Sequence, residues 1–495
     1  MKFISTRGLD SVNTAGEAIV KGLADDGGLF VPESFPSIIN DIDKMIDMDY
    51  YERAAIVIGK FLDDYDKDWL VSACNSAYSK FEDNEPAPIV KLTDNKYIME
   101  LFHGPTLAFK DVALTLLPHL LRKGCDLSGI KEEVLILVAT SGDTGKAALE
   151  GFKDADGIKI MVFYPSDGVS EMQKLQMCTQ EGKNVNVVAV NGNFDDCQTA
   201  VKKIFSSREV ATKLKENGVV LSSANSINFG RLVPQITYYI SAYCDLLSSG
   251  EIKKGDKIDF VVPTGNFGNI LAGYYAKQMG LPVGKLVCAS NMNNVLTEFF
   301  LTGGYDANRE FFKTTSPSMD ILISSNLERL IFEISNRDAK LTSKRMEELK
   351  SNGKYEISND EMSIISNEFY AGFAEEDECE ETISEIFEEE GYVLDPHTSV
   401  AVKVALDYEE DQNTKNKIVI LSTASPYKFT DTVLRSITGK GSNDAFLSAK
   451  KLYEETALAI PEQISSLKEK EKRFSKVINK QDTIDEVFNF VSNKN

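Results

Sequence analysis

From residue 96 onward, short apolar runs rich in β-branched residues alternate with stretches long enough for helices, and this alternation constrains the fold more than any other feature. Runs at 134–139, 158–163, 185–190, 219–222, 258–262 and 286–289 read as buried strands. Segments at 197–205, 232–247 and 270–279 read as helices between them. Parallel neighbours need a crossover, so the pattern predicts an α/β fold: a parallel sheet with helices on both faces. Ligands of such sheets bind where strands end and loops lead into helices.

A chain of 495 residues is too long for one core. Residues 1–95 are expected to form an N-terminal lobe, with helices near 50–62 and 67–81, closed by Glu85-Pro-Ala-Pro88. Residues 96–299 are the α/β core. Residues 300–395 interrupt the rhythm as a helical insertion. It includes a charged helix at 340–354 and an acidic, solvated one at 375–390 with one buried stripe carrying Ile383, Ile386 and Phe387. Alternation resumes with a short strand expected at 392–394 and a helix opening at Asp395; residues 396–495 return to the core, with a strand expected at 418–421 and a helical tail from Ser448.

The formal net charge of −22 argues against a nucleic-acid partner. Seven scattered cysteines without a CxxC, and three histidines, suggest neither a disulfide framework nor a metal site. There is no apolar leader and no membrane-spanning run, which reads as a cytoplasmic protein.

Three strand-end loops are suited to chemistry. Pro263-Thr-Gly-Asn-Phe-Gly-Asn269 lies between a strand and a helix, and Gly265 and Gly268 let its N–H groups converge as an anion cradle. Neither the Walker spacing nor the dinucleotide spacing is present. Ser141-Gly-Asp-Thr-Gly145 suits a carboxylate or a second phosphate, or serves only to cap its helix through Ser141 or Thr144. Leu421-Ser-Thr-Ala-Ser-Pro-Tyr427 offers neutral hydroxyls. In residues 101–114 a turn at His103-Gly104-Pro105 precedes a helix that Thr106 can cap. Lys110 sits near its buried start, either paired with a carboxylate or as a reactive amine. His103 reads as a hydrogen-bonded structural group. An amine, a phosphate cradle and a neutral polar partner, with no metal or nucleophilic triad, together match the needs of pyridoxal phosphate.

The segments 3–8, 22–32, 101–112, 140–145, 225–231, 263–269 and 422–429, in this order, resemble threonine synthase of the long bacterial and fungal type. His103-Gly-Pro-Thr-Leu-Ala-Phe-Lys-Asp111 is the most specific of them. The resemblance implies a fold-type II pyridoxal-phosphate enzyme, like the tryptophan synthase β subunit. It implies that Lys110 carries pyridoxal 5'-phosphate as a Schiff base. Gly265, Asn266, Phe267 and Gly268 would hold its phosphate, and Thr423 would face its ring nitrogen. Ser141, Asp143, Thr144, Asn225, Asn228 and Arg231 would face the substrate, O-phospho-L-homoserine, with Arg231 on its phosphate. The chain departs from the family pattern at Ser425, where histidine is usual, and at Lys146, where a small residue is usual. A different lyase of the fold, such as a serine or threonine dehydratase, and a non-catalytic phosphate-ligand-binding protein are the alternatives. A monomer or homodimer is expected.

Overall fold

Six strands build the larger sheet, in the order Phe369–Phe373, Val283–Ser290, Ile258–Pro263, Lys417–Ser422, Lys96–Glu100, Ile89–Lys91. All neighbours are parallel except the last pair, which is antiparallel. A second sheet of five parallel strands runs Val477–Asn479, Val185–Asn191, Ile158–Pro165, Glu133–Ala139, Val219–Ser222. The computed structural model describes residues 1–492 apart from Ser141, Asp167, Gly168, Ser170 and Asn443.

The six strands expected between residues 134 and 289 all form; five have strongly apolar, buried interiors, while the edge strand Val219–Ser222 leaves Val220 and Leu221 half-buried. The helices Phe194–Ser206, Phe229–Ser248 and Gly268–Gln278 form where periodicity placed them. Residues 1–78 contain a small antiparallel sheet and the helices Tyr50–Gly59 and Lys67–Tyr78. Their buried residues share one apolar cluster with Phe229, Leu232, Val233 and Ile236, so this lobe packs on the long helix Phe229–Ser248.

Four expectations need correction. Residues 392–394 form no strand. Leu394 is buried and Tyr392 donates to Glu100 at 2.6 Å, but Asp395 at once caps the helix Pro396–Gln412 and turns the chain away. The tail is not wholly helical, since Val477–Asn479 adds a parallel edge to Val185–Asn191. Thr106 caps no helix: its N–H and hydroxyl both donate to the Asp111 carboxylate, at 2.7 and 2.6 Å. Thr144 lies inside the helix Asp143–Phe152 and does not cap it. The Thr140 hydroxyl accepts from the N–H groups of Gly142 and Gly145, each at 3.0 Å.

One close approach positions the site. A Cβ on Gly151 would lie 2.0 Å from the Leu114 carbonyl oxygen, so only glycine lets the helix Asp143–Phe152 press onto the helix Lys110–Leu114. That contact brings the start of each helix to the same cleft. Among the described residues no helix is long and apolar enough to cross a membrane.

Candidate active site

Lys110 opens its helix at the level where the strands of the larger sheet end. The N–H of Phe109 donates to the Thr423 carbonyl at 2.9 Å, which ties the lysine to the end of the strand Lys417–Ser422. Its ammonium lies 3.1 Å from Ser318 Oγ and 3.7 Å from Asp143 Oδ2. Burial lowers its pKa. Asp143 opposes that shift, while the charges of Lys428 and Arg231 add to it. Lys110 is therefore paired with a carboxylate and is also an amine whose pKa burial lowers.

Asp143 is buried, and burial alone would raise its pKa. Lys428, 2.8 Å away, and Lys110 outweigh that, helped by a hydrogen bond from Gln173 at 3.0 Å, and hold the carboxyl well below the usual range. Lys428 is wholly enclosed and also donates to the Thr106 carbonyl at 2.8 Å. Ser425, buried at the head of the short turn Pro426–Lys428, accepts the Tyr427 N–H and so helps aim Lys428 inward. Ser318 is fixed in turn by His397, whose Nε2 accepts its N–H at 3.2 Å while Nδ1 meets Asp395 at 2.8 Å.

The loop after the strand Ile258–Pro263 has the form of a cradle. Phe267 takes a left-handed φ of 63°, and Gly268 begins the helix. Among the described residues the N–H groups of Gly265, Asn266, Phe267 and Gly268 have no acceptor. A Cβ on Gly265 would lie 3.0 Å from the Ser318 carbonyl, so the cradle and the residue that touches Lys110 are in direct contact. Asn269 commits Oδ1 to Tyr238 at 2.6 Å and Tyr239 at 3.0 Å, which leaves its buried Nδ2 without a partner. The buried Thr423 hydroxyl bonds to none of the described residues.

Arg231 lies within the first turn of the helix Phe229–Ser248. It donates to the Ala224 carbonyl at 2.8 Å, its Nε has no partner, and burial lowers its pKa to about 10. Among the described residues no carboxylate pairs with it.

The remaining sequence candidates divide. Thr144 and Asn225 are half-buried. Asn228 does not face a ligand: its amide donates to Ile19 and Ser223 carbonyls, each at 2.9 Å, and its oxygen caps the helix at Gly230. Lys146 turns away to Glu150 at 2.9 Å and to Gln180. Ser141 lies outside the described residues. His103 is held between Glu82 and Glu100, at 3.0 and 2.8 Å. Sequence reasoning missed Lys428, Ser318, His397 and Asn269. Lys428 and Asn269 stood inside motifs already singled out, whereas nothing near Ser318 marked it.

The family model for pyridoxal-phosphate dependent enzymes matches residues 82–424. Models for the threonine synthase N terminus and C-terminal region match residues 2–78 and 398–490. A curated Homo sapiens protein, threonine synthase-like 1, is 42% identical over 88% of this chain, and the chain spans 59% of that relative's length. The Pseudomonas aeruginosa threonine synthase is 36% identical over 96% of this chain and 95% of its own. A crystal structure of pyridoxal-phosphate-bound threonine synthase from Brucella melitensis superposes with a TM-score of 0.89 and 36% identity, covering 99% of this chain and 100% of that one.

Proposed function

The chain belongs to the threonine synthase family of pyridoxal-phosphate-dependent enzymes, and on that premise we propose that it converts O-phospho-L-homoserine and water to L-threonine and phosphate. What supports this reading is two groups of unanswered donors near Lys110. The N–H cradle at Gly265–Gly268 is one, and Arg231, buried without a carboxylate partner, is the other. A phosphorylated cofactor and a phosphorylated substrate need one each.

The residues present fit pyridoxal phosphate. The cradle offers only donors, Asn269 adds another, and the Thr423 hydroxyl bonds to none of the described residues. Lys110 is an amine with a depressed pKa. Bound there, the cofactor supplies an aldehyde for amines and an electron sink for negative charge developing at Cα and Cβ. Gly265, Asn266, Phe267 and Gly268 would hold its phosphate, and Thr423 its ring nitrogen. A hydroxyl at that position does not supply the negative charge that would protonate the ring.

The chain's own residues then do the following. Arg231 binds the substrate phosphate and orients Cγ. Lys110, when neutral, takes the Cα proton and serves again as proton carrier at Cβ. Asp143 and Ser318 keep its amine at the reacting face, and Lys428 neutralises Asp143. A proton leaves Cβ as phosphate leaves from Cγ, a proton is delivered to Cγ to make the methyl group, water adds its hydroxyl at Cβ, and a proton returns to Cα. Thr144 and Asn225 are placed beside the substrate. The protein is read as a cytoplasmic monomer or homodimer.

The test is incubation of purified holoenzyme with phosphohomoserine in D₂O. Equal yields of phosphate and threonine, with deuterium at Cα, are expected. Threonine without solvent hydrogen at Cα would remove Lys110 as the exchanging base. 2-Oxobutyrate as the main product would make the protein a dehydratase. Arg231→Ala should raise KM for phosphohomoserine by roughly tenfold or more while cofactor absorbance is retained.

A further inference from the structure

The segment after the Ser318 turn packs directly on the cradle. Ser324 Oγ donates to the Gly265 carbonyl at 2.7 Å, and the Asn326 N–H donates to the Asn266 carbonyl at 3.1 Å. Asn326 is fully buried, yet its Nδ2 has no partner. That nitrogen is the nearest atom to the position a Cβ on Gly268 would take, at 3.4 Å.

The orientation of this amide is determined by its neighbour. Asn326 Oδ1 accepts from Arg329 Nη1, so the group facing the cradle is the NH₂. Arg329 is itself fully buried, and its other hydrogen bonds run to the Phe30 carbonyl at 3.1 Å and the Ile227 carbonyl at 2.6 Å. No carboxylate is among its hydrogen-bond partners. A buried donor without an acceptor is costly. Here it lies beside four backbone donors that also have no acceptor among the described residues, and an anion answers all of them.

We propose that Asn326 donates from Nδ2 to the phosphate of pyridoxal phosphate, and that Arg329 is the positioning residue that keeps the amide turned that way. The assignment rests on the cofactor cradle described above and not on the reaction. It also makes a residue outside the 263–269 loop part of the phosphate site, braced by Arg329 against the strand Phe30–Pro32 and the 223–228 loop.

The experiment compares two ligands on apo-protein by spectral titration: pyridoxal phosphate and pyridoxal, which lacks the phosphate. Asn326→Asp keeps an oxygen for Arg329 but turns an oxygen toward the phosphate. It should weaken pyridoxal phosphate at least about tenfold and leave pyridoxal within about twofold of native. Asn326→Ala should show the same selectivity with a smaller loss, and a lower melting temperature because Arg329 Nη1 loses its acceptor. Native affinity of Asn326→Asp for pyridoxal phosphate, or an equal loss for both ligands in both variants, would overturn the proposal. A native protein that shows this discrimination but forms no threonine refutes the proposed reaction and leaves Asn326 where it is placed here.

Discussion

Lys428 Nζ lies 2.8 Å from Asp143 Oδ1, nearer to that carboxylate than Lys110 at 3.7 Å. Two ammonium groups thus share one buried carboxylate, and Lys428 holds it more closely. Lys110 is left with less counter-charge than a simple ion pair would give it. Lys428→Met should hand Asp143 to Lys110 alone and raise the Lys110 pKa. The acidic limb of the pH profile for cofactor incorporation into apo-protein should then move to higher pH by about one unit. An unmoved limb would reduce Lys428 to a packing role.

Lys110→Ala should purify without covalently attached cofactor. Borohydride reduction of the native protein followed by peptide mapping should mark Lys110. Lys428 is a buried and Lys146 a half-buried lysine nearby, so a mark on either would show that geometry has been misread.

Thr423→Val preserves shape and removes the unpartnered hydroxyl. A neutral hydrogen bond contributes about 0.5–1.5 kcal/mol, so cofactor affinity should fall by no more than about tenfold. Unchanged affinity and turnover would place the ring nitrogen elsewhere.

Gly265→Ala puts a methyl group 3.0 Å from the Ser318 carbonyl and 3.1 Å from Ile321 Cδ1. The Ser318 turn must shift, and with it the hydroxyl that meets Lys110. Cofactor affinity and turnover should fall together, by roughly tenfold or more if the backbone moves by half an ångström. A melting temperature close to native, with both losses present, would separate this from unfolding.

Glu85 gives a pH prediction. Burial, helped by the Asp245 charge, raises its pKa from 4.5 to about 7, and its Oε1 has no partner. A raised pKa means that the unfolded chain loses this proton first. The contribution to stability is complete below the unfolded value and is lost as pH rises through about 7. Glu85→Gln should flatten the fall in melting temperature between about pH 5 and pH 8. A slope identical to native would assign that dependence to other groups.

The parallel sheets were legible because strands buried on both faces leave long apolar runs, as at 134–139 and 258–262. Lys96–Glu100 and Phe369–Phe373 were not. The first carries a charge at each end, and Lys96 reaches out to pair with Glu409. The second includes Gly372, where a Cβ would meet Val404 Cγ1 of the covering helix at 3.0 Å. Lys110 and the cradle were readable because their chemistry is local to one loop each. Ser318, His397 and Asn326 were not, because each acts through a partner dozens to hundreds of positions away, and a serine or asparagine in an irregular stretch carries no mark of that.

The strand order bears on how this chain is made. In the larger sheet, Lys417–Ser422 sits between Ile258–Pro263 and Lys96–Glu100. In the smaller one, an edge is supplied by Val477–Asn479. During vectorial synthesis the early strands leave the ribosome with their future neighbour still untranslated, so each sheet waits on the final fifth of the chain. A nascent chain arrested before residue 417 would expose an unpaired backbone edge on Lys96–Glu100 and be a ready client for chaperones, whereas one arrested after residue 422 could already close around Lys110.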